Sequence, residues 1–167
     1  MHRTGTMSRQ THEMVTGLEK LVQEMTDSLE DTLIFITADH SHMDSDNYCI
    51  LDYPEITDCL VRLPSFEPRT LNLFVKEECQ EAFPEIFRKY FGDSFLLLTR
   101  AEVLAEHVFG PATYRDGFPA MIGDYVAFAV SNKSIFNTHI EAQEMPGGHA
   151  GLTEEEIRIP LIVVEKG

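Results

Sequence analysis

The chain has 167 residues, of which 43% are hydrophobic and 25% charged, which is the composition of an ordinary globular domain with a sizeable core. Its 28 Asp plus Glu against 13 Lys plus Arg give a formal net charge of −15, which argues against nucleic acid as a partner. No apolar run approaches the roughly 20 residues that a membrane-spanning helix needs, and the first residues lack the apolar core of a secretory signal. The three cysteines show no CxxC spacing and favour reduced thiols, so we expect a cytoplasmic protein that does not bind membranes.

The N-terminal part of the chain predicts a helix followed by a buried strand. Apolar residues recur at helical spacing across residues 8–28, and Ser8 is a suitable N-cap. Residues 32–38 form a continuous run of β-branched and aromatic side chains without alternation. We expect this run to be a strand buried on both faces in a parallel sheet, as in one step of an α/β fold.

Residues 48–110 differ from the segments on either side of them in their pattern of predicted elements. The expected elements are a short helix at 54–63, a strand at 70–75, an amphipathic helix at 77–91, a strand at 95–98 and a helix at 99–107. This alternation of strands and helices predicts a self-contained insertion, which we call the cap subdomain. We therefore expect an α/β core made of residues 1–47 and 111–167.

Two further strands are expected in the C-terminal part of the chain, after a loop at residues 110–123 that is rich in Gly and Pro. Residues 124–131 alternate cleanly and are apolar on both sides, which predicts a central strand. Residues 157–164 predict the last strand. Its Pro160 has no N–H to donate, so we expect it at a bulge, at the strand start or at an edge.

A polar cluster directly follows the first predicted strand. Residues 37–44 read Thr-Ala-Asp-His-Ser-His-Met-Asp, so that two aspartates and two histidines stand within six residues. Ligands bind beyond the carboxyl ends of strands in open α/β sheets, and Asp and His supply ligands to divalent metals. Asp39 and His40 are therefore candidate metal ligands. The alternative is a solvated polar loop whose aspartate caps a turn.

A second motif surrounds His149 with three glycines, in the segment Met-Pro-Gly-Gly-His-Ala-Gly-Leu-Thr at residues 145–153. The glycines give the backbone the freedom to bring this imidazole close to another group. Thr153 and Glu156 form a potential capping box for a short helix. The alternative is a flexible loop in which His149 is merely solvated. His2, judged on composition alone, is an ordinary terminal histidine.

Taken together and in this order, the two motifs resemble the alkaline phosphatase superfamily, and within it the branch of type I phosphodiesterases and nucleotide pyrophosphatases. In that branch a strand ends in T-A-D-H-G, and a late G-x-H-x-G-x-T/S precedes a short acidic segment and an apolar strand. Residues 37–41 and 147–153 match these two patterns, and residues 160–163 match the family's P-L-I-V. The family's D-x-x-x-H-x-x-G, which precedes a long helix, is matched in its second half by His2 and Gly5.

The resemblance implies the C-terminal portion of an alkaline-phosphatase-like αβα sandwich with an inserted α+β cap subdomain. It also implies two divalent metals, zinc with manganese as the alternative. One would be held by Asp39, His40 and two further groups, and the other by His149, His2 and an aspartate. In such a site a Thr or Ser attacks the phosphorus of a phosphate ester or nucleotide, and water then releases the covalent intermediate.

The chain departs from the family pattern at its N-terminal end. The aspartate expected four residues before His2, a further metal-binding aspartate and the nucleophile would all lie upstream of Met1. Thr6, Ser8 and Thr11 follow His2 in chain order, so the resemblance assigns no catalytic residue within the chain. We expect a fragment of a phosphohydrolase with weakened metal binding, whose truncated sheet needs to be covered by a partner or by a second copy.

Two alternatives stay open at this stage. The chain could be a catalytically inactive binding module that keeps the fold and serves as a partner subunit. It could also belong to the same superfamily but carry sulfatase or phosphoglycerate-mutase chemistry, since the nucleophile that separates these reactions would lie upstream. Whether the 167 residues form an enzyme is therefore left undecided by the sequence.

Overall fold

The computed structural model describes residues 1–111 and 113–167; Ala112, in the loop expected at residues 110–123, lies outside the described residues. The α-helices are α1 (Arg9–Asp27), α2 (Pro54–Thr57), α3 (Phe83–Phe91), α4 (Arg100–Ala105), α5 (Phe118–Met121), α6 (His139–Glu144) and α7 (Glu154–Ile157). The strands are β1 (Thr32–Thr37), β2 (Met43–Asp44), β3 (Asp46–Cys49), β4 (Ser65–Glu67), β5 (Thr70–Leu73), β6 (Phe95–Thr99), β7 (Tyr125–Ala129), β8 (Lys133–Phe136), β9 (Gly147–Gly148) and β10 (Leu161–Lys166). Short 3-10 helices lie at Ile50–Asp52, Glu77–Cys79 and Gly92–Ser94. Within the described ranges, no helix combines the length and the apolar character needed to cross a membrane.

A four-stranded antiparallel sheet in the order β4-β5-β7-β6 carries the core of the molecule. Strand β7 lies between β5 and β6 and is buried along most of its length, which confirms the central strand predicted at residues 124–131. Its two neighbours come from residues 48–110, so this block does not close a sheet of its own. The expectation that the block is self-contained is therefore wrong, because β7 supplies the hydrogen-bonding partner that both β5 and β6 require. The division of the chain into a core and a cap stays a prediction.

The core lies on both faces of this sheet. Phe83, Phe87 and Phe91 recur every four residues and so share one face of α3. Each is at most 2% exposed, and together with Phe95 they pack against one side of the sheet. The opposite side of β7 packs in a second cluster with residues of α4 and with Ile122. Because β7 is covered on both faces, its side chains are apolar in both directions.

Strands β1 and β10 form a separate antiparallel pair, with Phe35 opposite Val163. The expectation that residues 32–38 are buried on both faces in a parallel sheet is wrong, because Leu33 and Phe35 are 53% and 62% exposed. Leu161 and Val163 are exposed on the same side of this pair. Among the described residues no other strand pairs with β1 or β10, and nothing covers this side. We call the surface formed by Leu33, Phe35, Leu161 and Val163 the apolar face. Parallel pairing occurs instead between β3 and β8.

The local capping signals in the sequence act where they were expected. Ser8 caps α1 by accepting a hydrogen bond from the backbone of the first turn. Thr99 begins α4 with a capping box, and Thr153 and Glu156 form the capping box of α7. Pro160 directly precedes β10, where its missing N–H leaves no gap in the ladder. Short-range sequence chemistry thus fixes these element boundaries.

Two helices are shorter than their periodicity predicts. The helix expected at residues 54–63 ends at Thr57, since Leu60 leaves the helical path to form a bridge with Val75. The helix expected at residues 77–91 is divided into a 3-10 turn and α3. Pro84 stands in the first turn of α3, a position where its fixed φ and missing N–H are tolerated.

A buried ion pair joins the central sheet to α7. The side chain of Arg69, between β4 and β5, is 0% exposed and that of Glu156 is 2% exposed. Two parallel hydrogen bonds connect them, from Arg69 Nε to Oε1 at 2.5 Å and from Nη2 to Oε2 at 2.7 Å. The guanidinium also donates to the backbone carbonyls of Ser131 and Lys133. Each of the three guanidinium nitrogens of Arg69 therefore donates a hydrogen bond, as is expected of a buried charge.

Glu156 extends the same network into the loop that contains His149. Its carboxylate accepts hydrogen bonds from the backbone N–H of Gly151 and from the hydroxyl of Thr153. Burial alone would raise the pKa of Glu156, but the hydrogen bonds from Arg69, Thr153 and Gly151 outweigh burial, so the pKa lies below its usual range. The carboxylate thus stays charged and holds the loop against the sheet.

Glu156→Gln should remove the counter-ion of Arg69 while keeping an oxygen that can accept from the loop. We expect the free energy of unfolding to fall by about 3–5 kcal/mol, because the guanidinium is left buried without an opposite charge. Urea denaturation followed by circular dichroism measures this change. The double variant Arg69→Met/Glu156→Gln has no unpaired charge and should lose less stability than the single variant; an equal or larger loss would contradict the role given to the pair.

Candidate metal centre

Four histidines from three distant segments meet at one end of the molecule. His2 precedes α1, His40 and His42 follow β1, and His149 follows β9. The ring centroids of His40 and His149 are 3.9 Å apart, those of His2 and His42 4.4 Å, and those of His2 and His149 5.1 Å. We call these four side chains the histidine cluster. Three of the four sequence-predicted site residues, His2, His40 and His149, thus come together.

Hydrogen bonds to the loop of the second motif hold His2 in the cluster. The carbonyl of Gly147 accepts a hydrogen bond from His2 Nδ1 at 3.1 Å, and the backbone N–H of Gly147 donates to the carbonyl of His2. The N-terminal segment is anchored further by Asp44, whose carboxylate accepts from the backbone N–H of Thr6 at 2.6 Å. Gly5, at a φ of +79°, lies directly against this carboxylate. Asp44, from the polar cluster, therefore positions His2.

His40 is oriented by the backbone of its own loop. Its Nδ1 lies 2.8 Å from the carbonyl oxygen of Ser41, and since a carbonyl only accepts, Nδ1 carries the proton. In the neutral form of the ring, this leaves the lone pair on Nε2, which is the arrangement found in metal-binding histidines. The same reasoning applies to His2, whose Nδ1 donates to Gly147. Asp39 stands beside His40, with 3.8 Å between Oδ2 and Nε2, but its carboxylate is 91% exposed and turned to solvent.

His42 belongs to the cluster although it was not selected as a ligand from the sequence. Its Nε2 is buried and has no hydrogen-bond partner among the described residues. The sequence analysis counted His42 only as one member of the polar cluster. The sequence signal that could have identified His42 is its position two residues after His40. Both residues lie in the short segment between β1 and β2, and both side chains reach the same site.

The loop that carries His149 is held from three directions. Strand β9 pairs with β2, which places Gly148 opposite Met43. The hydroxyl of Thr70 donates to the carbonyl of Ala150, and the carboxylate of Glu156 holds Gly151. An alternative reading of this motif, a flexible loop with a solvated histidine, does not fit these contacts. His149 is instead fixed next to His40.

Two imidazoles of the cluster, those of His42 and His149, have lowered pKa values. The pKa of His42 is lowered to about 4, first by burial and then by the nearby His2 and His149. The pKa of His149 is also lowered, again mainly by burial and then by His40, with Glu67 acting in the opposite direction. Both rings are therefore neutral at pH 7. Neutral imidazole is the form that binds metals.

The donor chemistry of the cluster fits a divalent metal, although its atoms do not yet surround a common point. In the described part of the chain, no three His, Cys, Asp or Glu side chains converge as a complete ligand set. Three observations nevertheless favour a metal: the hydrogen bonds from Nδ1 of His2 and His40 to backbone carbonyls, the partnerless Nε2 of His42, and the lowered pKa values of His42 and His149. A cavity of about 40 Å³ lined in part by His2, Gly147 and His149 adjoins the cluster. Such a volume is enough for a single water-sized occupant.

The overall structure is similar to solved structures of two kinds of protein. Human ectonucleotide pyrophosphatase/phosphodiesterase 5 matches with a TM-score of 0.69 and 13% identity, over 97% of this chain and 43% of that chain. An inactive variant of the murine protein, in complex with AMP, matches with a TM-score of 0.67 and 13% identity, over 96% and 42%. Phosphonoacetate hydrolase from Sinorhizobium meliloti, in complex with phosphonoformate, matches with a TM-score of 0.64 and 20% identity, over 97% and 42%. No protein-family model and no curated protein sequence matches the chain.

These likenesses establish the fold. The chain shares the mixed α/β fold of the ectonucleotide pyrophosphatase/phosphodiesterase and phosphonoacetate hydrolase structures that it matches. The chain spans less than half the length of the structures that it matches. Because one fold hosts many reactions, activity has to be argued from the site itself.

The stability of the metal-free protein should fall as the pH is lowered from about 6.5 to 4. In this range the unfolded chain binds a proton at His42 that the folded protein does not, because the pKa is about 4 when folded against 6.5 for an ordinary histidine. The contribution is fully present above pH 6.5 and is lost on acidification. His42→Asn should reduce this slope, measured by urea denaturation in the presence of EDTA across the pH range.

His12→Asn, which changes an exposed histidine of α1, is the matched control for the loss of one imidazole. If His42→Asn left the slope at its wild-type value, the burial and mutual repulsion assigned to this ring would be wrong.

Proposed function

We propose that these 167 residues carry metal-binding machinery of a phosphohydrolase site of the phosphodiesterase/nucleotide pyrophosphatase type. In this proposal Asp39 and His40 hold one divalent ion, while His149 and His2 help to hold a second. The observation that carries the proposal is the meeting of imidazoles from three segments that are distant in sequence. Zinc is the metal that we propose, with manganese as the alternative.

The residues of the chain would contribute nitrogen lone pairs in fixed positions. His2 and His40 each give their Nδ1 proton to a backbone carbonyl, which fixes the tautomer and leaves Nε2 available. His149 is kept neutral by burial and by His40. Two divalent ions, when bound, would stabilise the negative charge that develops on a phosphate ester. The exposed carboxylate of Asp39 supplies an oxygen donor beside His40.

The substrate class that we propose is a phosphate ester or a nucleotide. The complex of the murine pyrophosphatase/phosphodiesterase variant with AMP and that of phosphonoacetate hydrolase with phosphonoformate support this choice by analogy. The attacking hydroxyl is not assigned to this chain, because nearby hydroxyls have structural roles: Ser8 caps α1, and Thr11 donates to the carbonyl of Gly5. We propose a Thr or Ser nucleophile outside these 167 residues. Sulfatase or phosphoglycerate-mutase-like chemistry is the alternative within the same fold, and that nucleophile would decide between them.

The protein stripped with EDTA should bind zinc in a saturable manner, as measured by isothermal titration calorimetry. His149→Asn should weaken this binding by at least about tenfold, since disturbing even a residue that supports a ligand costs 10–100-fold. With a chromogenic phosphodiester such as bis(p-nitrophenyl) phosphate, the zinc-loaded chain alone should show no turnover above a mock purification, because the nucleophile is absent.

His12→Asn is the matched control for this experiment and should keep wild-type zinc affinity. A folded wild-type protein that binds neither zinc nor manganese would refute the proposed function. Turnover that persists through the purification controls would instead show that the chain holds its own nucleophile.

A second candidate function, a partner module without catalysis, is favoured by the apolar face. Leu33, Phe35, Leu161 and Val163 present four large side chains to solvent on one side of the β1–β10 pair. Monomeric proteins seldom leave contiguous apolar surface of this kind uncovered. The occupant that we propose is polypeptide that completes the same fold, because the matched structures have more than half of their length outside the region shared with this chain.

Uncovered, the apolar face should make the isolated chain associate with itself. Phe35→Ser should reduce that association, while the free energy of unfolding changes by no more than about 0.5 kcal/mol because the ring is mostly exposed. Size-exclusion chromatography with light scattering measures the association. Met121→Ser, which replaces an exposed apolar residue of α5, is the control and should leave it unchanged. A wild-type chain that is a monodisperse monomer would contradict the proposed need for cover.

A further inference from the structure

We infer that a groove beside the histidine cluster binds the organic group of the substrate, and that this group is uncharged and apolar. The groove has a volume of about 480 Å³, and four rings supply much of its lining: Phe66, Phe109, Phe118 and Phe128. We call it the aromatic groove. The inference rests on the proposed function and deepens it, because it narrows the proposed phosphate esters to those of apolar alcohols and phenols.

The aromatic groove is arranged around Phe109. The centroid of this ring lies 5.9 Å from that of Phe118 and 6.1 Å from those of Phe66 and Phe128. Phe128, in the central strand β7, is 3% exposed, whereas Phe66 and Phe109 are 47% and 43% exposed. A buried ring and two half-exposed rings thus line one concave surface. Concave surfaces lined by aromatic side chains are where proteins bind small molecules, and the volume lies in the range of such sites.

The groove is continuous with the candidate metal centre. Glu67 lines the groove and also the cavity of about 40 Å³ that adjoins His2 and His149. Ala150, which lines the groove as well, directly follows His149 in the chain. A group esterified to a phosphate at the histidine cluster therefore has the groove next to it. This continuity identifies the occupant as part of the substrate rather than a separate molecule.

The polar side chains of the groove decide the chemical class of the occupant. The hydroxyl of Thr70 is engaged, since it donates to the carbonyl of Ala150. The carboxylate of Glu67 lies at the end shared with the histidine-lined cavity and repels additional negative charge. Along the phenyl rings, the donors and acceptors of a nucleobase would lose their hydrogen bonds to water without replacement. A hydrocarbon ring or chain has no such groups to satisfy.

Two strained residues shape the groove. Among the described residues, Phe66 and Ala150 are two of four non-glycine residues with a positive φ, at +73° and +77°. This conformation is rare for a bulky side chain, and strain of this kind clusters at ligand sites. The pairing of β4 with β5 holds Phe66, and the hydrogen bond from Thr70 holds Ala150. The scaffold thus fixes both residues where they line the groove.

The test uses the full 167-residue chain with 2-naphthol as the probe. The chain contains no tryptophan, so the fluorescence anisotropy of the naphthyl ring can be followed without interference from that residue. Phe109→Ser should weaken the binding of 2-naphthol by about tenfold, because the probe loses an aromatic contact and buried apolar area. Leu96→Ser is the matched control and should leave the affinity unchanged. Leu96 is also 43% exposed but lies on β6, outside the groove.

Two further ligands test the class of the organic group in the zinc-loaded chain. 2-Naphthyl phosphate should bind more tightly than 2-naphthol, because its phosphate adds a contact with the metal centre. AMP should bind about tenfold more weakly than 2-naphthyl phosphate, since both are phosphate monoesters and the polar edge of the base is left unsatisfied. In the wild-type protein, NMR should show nuclear Overhauser effects between 2-naphthol and the ring protons of Phe109. This measurement needs no variant and holds even if Phe109→Ser fails to fold.

The possible outcomes separate this inference from the proposed function. Binding of 2-naphthol that depends on Phe109, together with a preference for 2-naphthyl phosphate over AMP, supports it. If zinc binds but 2-naphthol does not, or binds without contact to Phe109, the inference is overturned and the proposed function stands. AMP binding as tightly as 2-naphthyl phosphate would overturn the apolar class of the substrate. If 2-naphthol binds at Phe109 and no metal binds, the proposed function fails, and with it the assignment of the occupant as part of a phosphate ester.

Discussion

The buried ion pair between Arg69 and Glu156 is the interaction on which the arrangement of this protein depends. It connects residues that are 87 positions apart, one in the turn between β4 and β5 and the other in the helix after His149. Each charge is compensated only when both segments are folded, because the guanidinium needs the carboxylate as well as the carbonyls of Ser131 and Lys133. The ion pair thereby couples the stability of the sheet to the placement of the His149 loop. The histidine cluster is assembled as a result of the same packing that forms the core.

The site is built from loops, and each loop is tied to a different part of the scaffold. The segment with His40 and His42 leaves β1 and is connected to the His149 loop through the short β2–β9 ladder. His2 reaches the cluster from the other side and bonds to Gly147. Three chain segments therefore meet around one glycine-rich turn. This arrangement explains how a domain with an incompletely covered β1–β10 pair still holds a compact polar centre.

Much of the local structure could be predicted from the sequence, because its causes are local. The N-cap at Ser8 and the capping box of Thr153 and Glu156 depend on residues within one turn, and both act as expected. The burial of residues 32–38 was predicted incorrectly. Their apolar composition indicates that burying them is favourable, but it does not show whether another element packs on them. The insertion was expected to be self-contained for a similar reason: the strand that completes its sheet comes from residues 125–129, and long-range pairing leaves no periodic signal.

In the candidate site, too, residues within local motifs could be predicted from the sequence, whereas residues defined by long-range contacts could not. His40 and His149 were found from their motifs, whereas His2 was identified only through a family resemblance, since a terminal histidine has no distinguishing neighbours. Arg69 was not selected from the sequence, because nothing in its immediate sequence indicates that its charge is buried. His42 was seen but not selected, because its missing hydrogen-bond partner becomes visible only in three dimensions.

Gly147 has a consequence for how this sequence can vary. A Cβ at this position would lie 2.9 Å from the carbonyl oxygen of Met1 and 3.0 Å from the ring of His42. The absence of a Cβ at Gly147 thus lets two separate segments, those of Met1 and His42, approach the same residue. In a saturation mutagenesis library, position 147 should accept only glycine, while the exposed residues of α6 just before it tolerate nearly any polar side chain. Such intolerance at position 147 would reflect the close packing of the segments around Gly147, since glycine has no functional side chain.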